Sequence, residues 1–244
     1  MSYNWNWGVF LQPAASGGGA TYLDWLLAGL QMTVAVSLTG WLIALALGTA
    51  VGVLRTVPGR AARAFAAAYV EIFRNIPLLV QLFIWYFVAP ELLPGGDAVK
   101  GLHPVTQQFL AGMLCLGFFT SARVAEQVRA GIESLPRGQR AAALALGFTL
   151  PQTYRYVLLP MAFRLVVPPL TSEILNIFKN SAVLSTIGLL ELAAQGRQLV
   201  DYTAQPYESF IAVTLLYMAI NVVVMVLMRV VERRTRVPGY IGGR

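Results

Sequence analysis

Apolar runs of membrane-spanning length, separated by short arginine clusters, set the pattern of this chain. One crossing of a bilayer takes ~20 predominantly apolar residues. The runs fall at about 22–54, 64–89, 105–124, 161–190 and 209–228. The first is long enough to tilt or to project beyond the bilayer. Arg55, Arg60 and Arg63 follow the first run. Arg137, Arg140, Arg155 and Arg164 surround the stretch between the third and fourth, and Arg229, Arg233, Arg234 and Arg236 follow the fifth. The loop 90–104 carries Glu91, Asp97 and Lys100 without arginine, and 191–208 has mixed charge. Both read as external loops, the second with room for a short helix. Arginine-rich connections remain on the cytoplasmic side. The expected fold is all-α and polytopic, with about five transmembrane helices, the N-terminus out and the C-terminus in.

Residues 1–21 form an external, interfacial segment, since Trp5, Trp7 and Phe10 suit the membrane–water boundary. Gly17, Gly18 and Gly19 give a flexible link. Gly29, Gly40, Gly48 and Gly52 in the first run permit close helix packing. Pro168 and Pro169 are expected to bend or interrupt the fourth span. Residues 231–244 form a basic cytoplasmic tail. Between the third and fourth spans, about 131–160, the chain predicts a short helix–turn–helix. Gly147 ends the first helix with a positive φ. Thr149 and Gln152 then form a capping box with an early proline at Pro151.

Composition narrows the function. Hydrophobic residues make up 57% and charged residues 12%, against about a quarter charged in soluble domains, so no soluble domain fits. The formal net charge of +7 sits just outside apolar runs, as orientation signals do, and does not argue for nucleic acid. Cys115 and His103 are the single cysteine and histidine. They exclude an intrachain disulfide and a multi-histidine metal site, and leave an intramembrane enzyme little to build from.

The stretch 138–160 carries a specific spacing. Ala141, Ala142 and Ala143 are followed by Gly147, then nine positions, then Val157-Leu158-Leu159-Pro160. This resembles the EAA loop of ABC importer permeases. Gly29-Leu30-Gln31-Met32-Thr33, Arg74 through Gln81 and Lys179-Asn180-Ser181 look like the polar amino-acid subfamily. The segment 118–211 is particularly similar to bacterial glutamate/aspartate permeases. The resemblance covers about 22–230. It implies an inner-membrane transport subunit, with Gly138, Gln139, Arg140, Ala141, Ala142, Ala143, Gly147 and Pro160 coupling it to an ATPase. The family's usual glutamate is replaced by Ala141, and Gln139 or Arg140 is expected to make that contact instead. The implied partners are a dimer of ATP-binding subunits, a second homologous permease or a second copy of this chain, a periplasmic amino-acid-binding protein and the lipid membrane. The chain itself binds no cofactor, and ATP and Mg are used by the partner ATPase.

Ionisable groups inside a membrane mark pathways or ion pairs. Glu71, Arg74, Asn75 and Gln81 in the second span, and Glu173, Asn176, Lys179, Asn180 and Ser181 in the fourth, are the candidates for the substrate path. Arg74 suits bidentate carboxylate recognition. Glu71 and Arg74 can equally neutralise each other, Lys179 can pair or snorkel, and Asn176 and Asn180 can hydrogen-bond between helices. A neutral or basic amino acid such as glutamine or arginine is the alternative cargo. A membrane scaffold or channel subunit without ATP coupling is the remoter alternative.

Overall fold

The structure is a computed structural model and describes residues 3–15 and 18–235. Gly17 of the expected link and the tail beyond Thr235 lie outside the described residues. The elements are helical: α1 (Tyr22–Leu54), α2 (Arg60–Asn75), α3 (Leu78–Leu92), α4 (Gly96–Lys100), α5 (Pro104–Glu133), α6 (Arg137–Ala145), α7 (Leu150–Ile187), α8 (Leu192–Thr203) and α9 (Pro206–Thr235). A short 3₁₀ helix, Trp7–Leu11, precedes them. Among the described residues α1, α5, α7 and α9 are each long and apolar enough to cross a membrane, with a fifth span if α2 and α3 count as one.

Three expectations need correction. The second run is not one helix: Ile76 is extended and Pro77 caps α3. The residue before a proline is pushed out of the α region, so the Ile76-Pro77 step breaks the span. Conversely, Pro168 and Pro169 lie inside continuous helix and do not interrupt it. Two adjacent prolines remove two successive donors, a local loss that flanking helix can carry where the apolar face stays packed. Finally, 191–208 is more than a loop: the short helix that it had room for is present as α8, and Leu192 and Leu199 of α8 are fully buried. The Glu191 carboxylate caps α8 by accepting the N–H groups of Ala193 and Ala194 at 2.9 and 2.8 Å. The charge that suggested a loop is a helix cap.

π-helical turns occur at Ile84–Val88 and Tyr154–Leu158. Each ends two residues before a proline, Pro90 and Pro160. Proline clashes with the carbonyl four residues earlier, and a wider turn relieves that clash.

The chain divides into two compact units, 1–41 with 77–116 and 176–223, and 42–76 with 117–175 and 224–244. The first unit has a core of Val9, Tyr22, Leu26, Leu192, Leu199 and Val213. Its N-terminal segment is tied down by Tyr3 donating to Glu208 and by the Asn6 N–H donating to the same carboxylate at 2.6 Å. Trp5 and Trp7 stack at 5.7 Å and remain half exposed, as an interfacial segment requires. In the second unit α1 and α5 pack closely. A Cβ added at Gly48 would lie 2.6 Å from Val124, and one at Gly52 would lie 2.7 Å from the Ala125 carbonyl. Among the described residues the first unit holds only Lys100, Lys179 and Arg197 as basic side chains, and every arginine cluster falls in the second.

Candidate functional site

The helix–turn–helix of the second unit follows the local chemistry of its residues. α6 ends where Leu146 donates its N–H to Ala142 O at 3.0 Å. Gly147 has φ +86, and nothing lies within 4 Å of where its Cβ would be. The Phe148 N–H then reaches back to Ala143 O at 3.1 Å. Thr149 and Gln152 form the expected capping box, the Thr149 N–H donating to Gln152 Oε1 at 2.8 Å.

Gly138, Ala141, Ala142 and Gly147 are exposed, whereas Ala143 is buried against the rest of the unit. Gln139 and Arg140 are half-buried, and among the described residues Gln139 Oε1 has no hydrogen-bond partner. Pro160 is exposed and sits inside α7, directly after the π turn. The sequence pattern passed over Leu144, Leu146 and Phe148, which are exposed apolar side chains beside the small residues. The signal was available: apolar residues alternate with alanines in a stretch otherwise flanked by arginine.

The polar groups of the spans divide between the units. In the second, Glu126 on α5 is the common partner of three arginines. Arg55 from the end of α1 contacts it directly, Arg129 bonds it at 2.9 and 3.1 Å, and Arg74 from α2 stands 3.6 Å away. Arg129 also bonds Glu133 at 2.6 Å. Glu71 does not neutralise Arg74; it accepts from Asn75 Nδ2 at 2.9 Å. Residues three apart meet on a helix only if their rotamers turn toward each other, and a carboxylate on another helix wins the guanidinium. Glu173 of α7 is buried, accepting from Gln127 at 3.2 Å and facing Arg123 at 3.6 Å. Arg123 lies over the Phe119 ring at 4.3 Å. Arg55, Arg123, Glu126 and Gln127 were missed as site residues because their partners sit on other helices.

In the first unit Gln81 and Ser181 are buried, and Ser181 donates to Phe178 O at 2.8 Å. Asn176 and Asn180 are half-buried and Lys179 is exposed. Lys179 forms no ion pair among the described residues. Trp85 and Tyr86 help to line a small apolar cavity of about 190 Å³ with Leu93, Val99 and Leu110. Phe83 and Phe87 remain outward.

Residues 43–237 match the family of binding-protein-dependent transport system inner membrane components. Over its full length the chain is 56% identical to the full length of the glutamate/aspartate import permease protein GltJ of Escherichia coli. It is 31% identical to the glutamate/aspartate import permease protein GltK of E. coli, over 87% of this chain and 94% of that one. A chain of a solved amino acid ABC transporter with histidines superposes with a TM-score of 0.73 at 29% identity, covering 87% of this chain and 95% of that chain. The chain is a multi-pass permease, and it belongs to the family of inner-membrane components of binding-protein-dependent transport systems.

Proposed function

We propose that this permease imports acidic amino acids, glutamate and aspartate, using ATP hydrolysed by partner subunits. The observation that carries the cargo is the full-length likeness to a glutamate/aspartate permease. Its partners are a pair of ATPase subunits, a periplasmic binding protein and a second permease of the kind that GltK exemplifies. The confinement of the arginine clusters to one unit supports placing that unit at the cytoplasmic side, with the N-terminus outside.

Coupling runs through 138–160. Exposed Ala141, Ala142 and Gly147 let a partner surface come close to the backbone, and Leu144, Leu146 and Phe148 supply the apolar contact. Gly138, Gln139 and Arg140 border it, and Pro160 joins it to α7. ATP-driven closure of the ATPases favours one arrangement of the loop over the other, and that difference in affinity shifts the permease between two openings. Within the second unit Arg74 is the candidate donor to a substrate carboxylate, and within the first unit Lys179 is. Arg74 keeps 49% of its side chain exposed despite Glu126. Glu71, Asn75 and Glu173 accompany Arg74 as candidates in the second unit, and Gln81, Asn176, Asn180 and Ser181 accompany Lys179 in the first.

The test is ATP-dependent uptake of labelled glutamate into proteoliposomes holding both permeases, the ATPase and the binding protein. Unlabelled aspartate is expected to block uptake, and glutamine or arginine is not. Uptake blocked instead by glutamine would discard the acidic cargo and keep the transporter. In the same assay Gly147→Asp inserts normally, because the site is open and Asp tolerates positive φ. It is expected to abolish uptake while ATP hydrolysis persists. Normal uptake in that variant would sink the coupling assignment.

A further inference from the structure

We propose that a basic cavity in the second unit binds the phosphate of an anionic phospholipid. The cavity has a volume of about 640 Å³ and is lined by Arg55, Arg63, Arg137 and Arg140, together with Thr56 and Tyr154. The carboxylate on its wall is Glu133, already bonded by Arg129 at 2.6 Å. Arg55 is engaged by Glu126. Thr56 and Tyr154 satisfy each other at 3.1 Å. Arg63 gives its Nε to Gly59 O at 3.3 Å. Among the described residues no carboxylate pairs with Arg63, Arg137 or Arg140. Three guanidinium groups therefore line one concavity whose single lining carboxylate is bonded to another arginine.

Like charges gathered in a cavity repel, and a bound anion relieves that repulsion. Guanidinium forks match phosphate oxygens in pairs. Position selects a lipid as the source of the phosphate. Arg55 follows the last residue of α1, Glu133 is the last of α5, and Arg63 lies in the first turn of α2. The cavity thus sits where apolar spans end, at headgroup depth, and basic pockets at the cytoplasmic ends of spans suit anionic headgroups. Ile132, Leu135 and Leu158 on the cavity wall, with exposed Leu54 next to Arg55 in the chain, give an acyl chain an apolar flank. A free phosphate would leave that flank bare.

The inference rests on the proposed orientation only for the leaflet that supplies the lipid. Mixed micelles have no sides, so its failure there is distinct from failure of that orientation. The assembled complex, in micelles of detergent and dioleoylphosphatidylcholine, is titrated with dioleoylphosphatidylglycerol and followed by thermal shift and by lipid retained in native mass spectra. Phosphatidylglycerol is expected to bind and to raise Tm, and millimolar inorganic phosphate to do neither. Arg63→Gln with Arg137→Gln is expected to weaken binding about tenfold or more, corresponding to about 1.4 kcal/mol. Arg63→Lys with Arg137→Lys keeps the charge but loses the paired fork, so its binding is expected to fall between wild type and the Gln pair, and this second pair guards against a misfolded Gln variant. The charge-matched control, Arg233→Gln with Arg234→Gln, stays near wild type. Equal binding in all variants, stabilisation by inorganic phosphate alone, or lipid binding only after the ATPase is removed would each overturn the proposal. The last would assign the cavity to an acidic group of the ATPase.

Discussion

At the residue scale, Glu126 is the side chain on which most charge converges. It neutralises Arg55 and Arg129 and faces Arg74, three guanidinium groups arriving from three helices. Hydrogen bonds to charged groups contribute about 1.5–3 kcal/mol each, so Glu126→Gln is expected to lower stability by about 2 kcal/mol or more. Arg74→Gln is expected to cost less than about 1 kcal/mol, because its side chain is half exposed and screened. Thermal unfolding of the purified complex measures both. Equal, small losses would mean that the cluster is solvated and adds nothing. Glu191 differs in kind. Burial pushes its carboxyl above the usual carboxylate range, against the pull of the N–H groups of Ala193 and Ala194, and its task is to cap α8.

At the scale of elements, glycine spacing decides which helices touch. Gly48 and Gly52 stand four apart and face Val124 and Val128 of α5 across the second unit. In membranes small residues at this spacing let backbones approach, and dispersion and weak polar contacts then hold the pair. Gly52→Ala would bring a methyl against the Ala125 carbonyl, which cannot rotate away. Overpacking of this sort costs about 1–3 kcal/mol. We expect a Tm several degrees lower, whereas Gly138→Ala, with open space around it, leaves Tm unchanged. An unchanged Tm for Gly52→Ala would mean that α1 and α5 pack less closely than described. Prolines show the opposite lesson. At Ile76-Pro77 the span breaks, and at Pro168-Pro169 it does not.

At the scale of the whole molecule, the distribution of charge is the ground for the proposed orientation, which labelling tests. The native cysteine, Cys115, is buried, so a Cys115→Ala background is suitable for labelling. In it, Ala98→Cys is expected to react with an impermeant maleimide added outside intact cells, and Ser134→Cys only after the membrane is opened. Both positions are exposed. The reverse pattern would invert the topology and with it the side on which the ATPase docks.

Local sequence was enough for the limits of α1, the positive φ at Gly147 and the Thr149 capping box. Each depends on local periodicity, steric freedom or hydrogen bonds within a few residues. Motif spacing also made the permease family legible. Packing between helices was needed to learn that Glu126 takes Arg74 from Glu71, that Glu173 meets Arg123 and Gln127, and that Leu192 and Leu199 are core residues of the first unit. It also gathered Arg55, Arg63, Arg137 and Arg140 around one cavity. Those pairings join residues far apart in the chain. Periodicity states which face a side chain occupies, but not which other helix stands opposite it.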